Sequence, residues 1–275
     1  MADPSEKKPA SNLVVRVATA AVGAPAILAL LYYGPAWGFF CLTLVVGLIG
    51  AWEFFGMTHP EDATSRICGV LFSAIAATAV YFGDHRVVVT VLAVMPLLGP
   101  LFTLVRLGDI KTAALRACAM STVPLFAAVP LSWLAILRRD DGPGWVVMTI
   151  MFAWFADTGG YFAGRFLGKH KLYEAVSPKK TIEGALGGIA GALLGATLAS
   201  FWFLKEIPIS HSYPLALVAC VLGQAGDLAE SLIKRSTGVK DSGAIVPGHG
   251  GILDRVDALI LTSATVYLYT LWSNP

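Results

Sequence analysis

The sequence predicts an all-α fold: a polytopic membrane bundle of about nine transmembrane helices, with its N-terminus in the cytoplasm. Three observations predict it. Of 275 residues, 56% are hydrophobic and only 14% charged, where a soluble domain carries about 25% charged residues. The mean hydropathy is +0.69. The apolar residues also fall in runs close to the about 20 residues that a bilayer-spanning helix needs. This composition excludes a disordered, a collagen-like and a disulfide-stapled chain, and argues against an ordinary soluble enzyme. A net charge of +2 is too small to suggest a nucleic-acid partner.

The first span, 13–33, follows Lys7 and Lys8. Charges before an apolar run resemble a signal peptide, but the run is long and more spans follow, so it reads as an uncleaved anchor. Spans 35–57 and 67–82 come next, the latter the shortest. Spans 87–105 and 115–137 contain Pro96, Pro100, Pro124 and Pro130. Such prolines are tolerated where neighbouring helices satisfy the freed carbonyls. Spans 145–167, 185–204, 213–232 and 252–272 complete the series. Span 185–204 carries the small-residue pairs Gly184/Gly188, Gly187/Gly191 and Gly191/Gly195, which favour close helix packing. No long internal repeat is visible. Cys41, Cys68, Cys118 and Cys220 lack metal-site or redox spacing and read as small buried hydrophobes. The chain divides into a polar tail (1–12), N-terminal scaffold helices facing lipid (13–143) and a C-terminal catalytic transmembrane domain (144–275).

Loop charges set the orientation. With the N-terminus inside, the inner segments hold Lys7, Lys8, Arg16, Arg66, Arg106, Lys111, Arg116, Arg165, Lys169, Lys171, Lys179, Lys180, Lys234, Arg235 and Lys240. The outer segments hold only Arg86, Arg138, Arg139 and Lys205. Fifteen against four places the basic loops in the cytoplasm.

Charges inside apolar helices are expensive, about 2.5–3.5 kcal/mol each at a helix centre on insertion scales. The early spans nearly avoid them. Glu53 is the main exception and reads as an interfacial or paired carboxylate. From Trp145 onward the pattern changes, with Asp157, Arg165, Asp227, Glu230, Asp254, Arg255 and Asp257 in or at the ends of spans. Asp157 lies 12 residues into an inward-running span, roughly 18 Å deep at 1.5 Å per residue. Asp227, Asp254 and Asp257 reach the same level. Asp227 and Glu230 are three apart, as are Asp254 and Asp257, so each pair shares a helix face. Two acidic faces brought together suit a hard cation such as Mg²⁺. A structural ion-pair network among Asp227, Glu230, Arg235 and Arg255 would account for the same spacing.

Two basic loops open on that side. Loop 168–183 carries Lys169, Lys171, Lys179 and Lys180. Loop 235–251 carries Lys240 and His249 among Gly238, Gly243, Gly248, Gly250 and Gly251. Glycines let backbone N–H groups approach phosphate oxygens. Cations facing a metal site at a membrane surface point to a phosphate-bearing substrate and to phosphoryl or nucleotidyl transfer. In that chemistry a two-acid metal site flanked by Lys and His supplies the neutralising charge.

The run Ser231-Leu-Ile-Lys-Arg-Ser-Thr-Gly-Val-Lys-Asp-Ser-Gly-Ala-Ile-Val-Pro-Gly-His-Gly-Gly-Ile-Leu-Asp-Arg-Val-Asp257 resembles the hallmark of the phosphatidate cytidylyltransferase (CDP-diacylglycerol synthase) family. Asp157-Thr-Gly-Gly-Tyr-Phe-Ala-Gly-Arg165 and Ser177-Pro-Lys-Lys-Thr-Ile-Glu-Gly184 resemble its second block. Val246 stands before Pro247 where a bulkier apolar residue is usual, and the first 140 residues match only as hydrophobic spans. The resemblance implies that CTP and phosphatidate give CDP-diacylglycerol and pyrophosphate in phospholipid biosynthesis. It implies Mg²⁺, with K⁺ beside it, and a homodimeric helical bundle. The bacterial-style topology, with basic loops inside, points to a bacterial cytoplasmic membrane with the active site facing the cytoplasm. The metal ligands would fall on Asp227, Asp254 and Asp257. Lys234, Lys240, Asp241 and His249 would complete the catalytic set. Substrate binding would fall to Asp157, Ser177, Lys179, Lys180, Thr181, Glu183, Ser231, Arg235, Gly250, Gly251 and Arg255. The alternatives are weaker. A CDP-alcohol phosphotransferase would need a D-G-x-x-A-R core, but Asp227 is followed by Leu-Ala-Glu-Ser. An ion-coupled transporter would use the intramembrane carboxylates for a coupling cation, without the internal repeat common in that class. An inactive scaffold fits poorly with intact motifs.

Overall fold

In the computed structural model, residues 9–243, 245 and 250–273 are described, with side chains from Ala21 onward. The elements run α1 (Pro9–Tyr33), α2 (Ala36–Thr58), α3 (Ala63–Phe82), α4 (His85–Val105), α5 (Ile110–Val123), α6 (Val129–Asp140), α7 (Pro143–Phe166), β1 (Lys171–Tyr173), β2 (Ser177–Thr181), α8 (Ile182–Trp202), α9 (Ile209–Ser236) and α10 (Leu253–Ser273). Because α5 and α6 form one rod, Ile110–Asp140, the helices make nine rods among the described residues. These overlap the nine expected spans one for one. Seven of them are long and apolar enough to cross a membrane. Of the other two, α10 opens with Asp254, Arg255 and Asp257. The described side chains of α1 cover only a 13-residue apolar stretch, Ala21–Tyr33.

The fifth rod departs from a plain helix at its prolines. Pro124–Ala128 forms a π-helical turn, and the Val129 N–H donates to Pro124 O five residues back. Pro124 and Pro130 lack the N–H groups that a regular ladder would use, so the rod widens by one residue between them. Gly47 of α2 sits against this turn, where a Cβ would lie 3.0 Å from Ala128 Cα.

One apolar core joins both halves of the chain. It includes Phe40 and Tyr81, whose rings stack 4.0 Å apart, together with Leu137, Met148, Phe152, Ala192, Ala216 and Val266. The seam between α7 and α8 is glycine on glycine. A Cβ on Gly187 would lie 2.7 Å from Gly159 O, and one on Gly191 would clash with Phe155 O. The expected close packing of the glycine-rich span is therefore present, with backbone against backbone. Contacts this close are what fix the relative height of the two helices.

At the end of the bundle where α2, α4, α7 and α9 finish, Asp62 ties three helices together. It caps α3 through Ser65 N (3.0 Å), pairs with Arg106 (2.6 Å) and lies 3.7 Å from Arg116 of α5. Burial works to raise its pKa, but hydrogen bonds from Ser65 and Arg106 outweigh that and hold it at about 2.

Two local expectations change. Loop 168–183 contains an antiparallel hairpin, with Lys171 opposite Thr181 and Tyr173 opposite Ser177. Val176, at the hairpin's turn, is its buried apolar residue. Of the four cysteines only Cys220 is buried, while Cys41 and Cys118 face outward. Small apolar thiols are compatible with an outward face when that face meets lipid.

Replacing Gly191 by Ala places a methyl against Phe155 O. The expected loss is about 1–3 kcal/mol, read as a lower midpoint in detergent thermal unfolding. Gly195→Ala, whose Cβ would meet ordinary contacts of 3.4–3.7 Å, should leave the midpoint nearly unchanged. Equal effects would contradict the seam.

Candidate active site

The charged residues of the second half converge on one cavity of roughly 500 Å³. Helical spacing delivers them. Asp157, Tyr161 and Arg165 recur every four residues on α7 and line one wall. The hairpin contributes Lys179, Lys180 and Thr181. Gln224 and Asp227, three apart on α9, face Asp254 and Asp257 at the start of α10. Four carboxylates from three helices thus border one space with three cations.

The carboxylates are held by lysines. Lys180 Nζ lies 2.5 Å from Asp227 Oδ2. Lys234 Nζ donates to Glu230 Oε2 (2.8 Å) and to Asp254 Oδ1 (2.6 Å). Glu230 is fully buried and Lys234 nearly so. Arg235 and Arg255, the partners expected from spacing, make no ion pair with these acids among the described residues. Arg235 instead donates weakly to Val176 O and Val239 O, both at 3.4 Å. It ties α9 to the hairpin turn. Arg255 is exposed on α10.

Asp254 is the most tightly fixed of the acids. Its Oδ2 accepts from Ser242 N (2.9 Å), Ser242 Oγ (3.0 Å) and Gly251 N (3.0 Å). With Lys234 this makes four donors on one carboxylate, although Oδ1 carries only one of them. Gly250 adopts φ +82°, a conformation that favours glycine. A Cβ on Gly251 would collide with Ser242 Oγ. The glycines expected to cradle phosphate therefore also let the chain close on Asp254.

Other expected site residues fall outside the cavity wall. Glu183 accepts from Lys169 N (3.1 Å), His170 N and His170 Nδ1 (2.6 Å), which fastens the hairpin entry to the first turn of α8. Thr181 caps α8 through Gly184 N (3.1 Å) besides lining the cavity. Ser177 pairs with Tyr173 in the hairpin. Ser231 is half-buried on α9, and Lys240 and Asp241 are exposed beside it. His249 lies outside the described residues. Sequence reasoning passed over Tyr161, Gln224 and Ser242. Tyr161 carried one legible signal, its spacing of four from both Asp157 and Arg165. Arg165 Nη1 lies 2.8 Å from the Tyr161 hydroxyl.

Among the described residues no three His, Cys, Asp or Glu side chains close tightly enough on one point to hold a metal by themselves. The donor set is nonetheless that of a hard divalent ion. Mg²⁺ is usually held by one or two carboxylates, with waters and substrate phosphates filling the remaining positions. Glu230 Oε1 is buried away from the lysines, and the Glu230 and Asp257 carboxyl groups lie within reach of one another at the α9–α10 seam.

A helical membrane bundle with one acid-and-base-lined cavity at an inter-helix seam defines a class of integral membrane proteins that handle charged ligands. Comparison with known proteins narrows it. The model of the cytidylyltransferase family matches residues 14–272. The phosphatidate cytidylyltransferase of Synechocystis sp. is 31% identical over 299 aligned positions, covering 94% of this chain and 97% of that one. That of Brucella suis biovar 1 is 45% identical over 147 residues, 52% of this chain and 53% of the relative. That of Bacillus subtilis is 44% identical over 135 residues, 48% and 49%. The aligned stretch thus spans about half the length of the Brucella and Bacillus relatives. The chain belongs to the cytidylyltransferase family.

Lys234→Met leaves Glu230 and Asp254 buried without their counter-charge. The expected cost is about 3–5 kcal/mol, measured as a fall in the detergent unfolding midpoint. Adding Glu230→Gln should return part of it. A single variant as stable as wild type would contradict the pairing.

Proposed function

We propose that this chain transfers the cytidylyl group of CTP to phosphatidate, giving CDP-diacylglycerol and pyrophosphate. The observation that carries the reading is the shared cavity, in which Asp157, Asp227, Asp254 and Asp257 face Arg165, Lys179 and Lys180. Its volume lies within the range of small-molecule sites. Family membership supports a cytidylyl donor, and the relatives, which are phosphatidate cytidylyltransferases, support phosphatidate as acceptor.

Mg²⁺, when bound, would neutralise the triphosphate and polarise the phosphorus under attack. Asp227, Asp254 and Asp257 would hold it. Lys179 and Lys180 would bind the pyrophosphate end, and Lys180 would exchange Asp227 for phosphate oxygen. Arg165 would meet the lipid phosphate. Lys240 and His249, from the loop before α10, would add charge to the leaving group. A phosphatidate oxygen attacks the α-phosphorus, the bond to the bridging oxygen breaks, and pyrophosphate leaves with that electron pair. The attacking monoester is already largely ionised near neutral pH, so no strong general base is required. Alignment and charge neutralisation then supply most of the acceleration.

We place the cavity at the cytoplasmic face of a bacterial inner membrane, on the fifteen-to-four asymmetry of Lys and Arg. The homodimer rests on the family resemblance. Residues 144–275 would carry the chemistry and 13–143 the scaffold.

The test uses the full chain in mild detergent with phosphatidate, Mg²⁺ and α-labelled CTP. Labelled lipid that disappears with EDTA is expected. Asp227→Asn should fold yet lose at least about 100-fold in kcat/KM, of the order expected when a main transition-state contact is removed. Full turnover by that variant would overturn the metal role. A folded wild type that binds CTP but makes no lipid product would overturn the acceptor.

A further inference from the structure

One buried charge is not absorbed by the cavity. Glu53 sits near the end of α2, in the scaffold half, and is 3% exposed. Burying a carboxylate in an apolar helix is costly unless its oxygens are satisfied. Its partners all lie in the segment that leads into α10. Oε1 accepts from Ile252 N (3.0 Å), and Oε2 accepts from Leu253 N (2.9 Å). Ser242 Oγ lies 3.1 Å from Glu53 Oε2 and 3.0 Å from Asp254 Oδ2, so the two carboxylates share the single proton of one hydroxyl.

The fit is close on every side. A Cβ on Gly251 would lie 2.7 Å from Glu53 Oε2, and one on Gly243 would clash with Oε1. The first N–H groups of a helix need acceptors, which a local Ser or Asp commonly supplies. Here the acceptor comes from a helix about 200 positions away in sequence. The same carboxylate bears on the segment whose backbone and hydroxyl grip Asp254.

We infer that Glu53 is a positioning residue for the reaction: through Ser242 and the start of α10 it sets the direction of the Asp254 carboxylate and thereby the divalent-ion site. This rests on the reading of Asp254 as a metal ligand. Glu53 itself does not line the cavity. Gln at this position would offer one acceptor where two are needed and would set an NH₂ group against a donor. Partners that orient metal ligands typically change metal affinity by about 10–100-fold when lost.

The experiment compares full-length wild type, Glu53→Gln and Ser242→Ala in detergent. Mn²⁺ binding is read by electron paramagnetic resonance, alongside the unfolding midpoint, kcat, and KM for each substrate. Both variants should raise the Mn²⁺ Kd about tenfold or more and lower kcat, with the phosphatidate KM near wild type. Glu53→Asp should recover part of the loss. Unchanged Mn²⁺ affinity and kcat with only a lower midpoint would reduce Glu53 to a structural cap and overturn the inference. If Glu53→Gln does not fold, Glu53→Asp carries the test: it keeps the carboxylate but shortens its reach to Ser242 and the start of α10, and a Mn²⁺ Kd and kcat equal to wild type would overturn the inference. Wild type that binds Mn²⁺ but makes no labelled lipid would sink the proposed reaction, while the variants' Mn²⁺ affinities would still decide the positioning role. Wild type without a Mn²⁺ site would overturn the inference.

Discussion

Carboxylates gathered between apolar helices must be met by positive charge, and the second half of this chain is organised around that requirement. Lys234 bridges Glu230 and Asp254 from one turn away on α9 and from the start of α10. Lys180 reaches Asp227 from the hairpin. The Lys234–Asp254 and Lys180–Asp227 pairs join elements that the sequence separates. The hairpin cannot move far from α9 without exposing Asp227, and α10 cannot slide along α9 without uncovering Asp254. The largely buried Lys234 pairs contribute little net stability compared with apolar packing, but breaking one is costly. Their consequence here is placement.

The glycine seam between α7 and α8 serves the same end. Asp157, Tyr161 and Arg165 lie on the helix that Gly187 and Gly191 approach, and the hairpin emerges from the N-terminal end of α8. Backbone contact between these helices brings the α7 acid and the hairpin lysines to opposite sides of one narrow space. Bulkier residues at the seam would separate them. Packing at the glycines and the electrostatics of the cavity are therefore one design with two parts.

Much of this was legible in the sequence because hydropathy and helical period are local properties. Run length located the nine rods, and spacing of three placed Asp227 with Glu230 and Asp254 with Asp257. The π-helical turn at Pro124–Ala128 was not legible, because a helix with two prolines can adapt in several ways and the outcome depends on Gly47 across the interface. The hairpin was missed because its two strands are short, and Val176 is its one fully buried apolar residue. The pairing of acids with Lys180 and Lys234 rather than Arg235 and Arg255 depends on which way helix faces turn. Glu53 showed itself as a costly charge, yet its partners lie about 200 residues away and no local pattern names them.

On the function proposed above, one cavity, bounded by α7, the hairpin, α9 and α10, receives the nucleotide and its metal. Hydrogen–deuterium exchange in detergent, with and without CTP and Mg²⁺, tests it most directly. The account predicts that added protection concentrates in 171–185, in 238–257 and at the inward end of α7, with little change in α3 and α4. Protection spread along α1 to α6, with none in the hairpin or before α10, would count against this site.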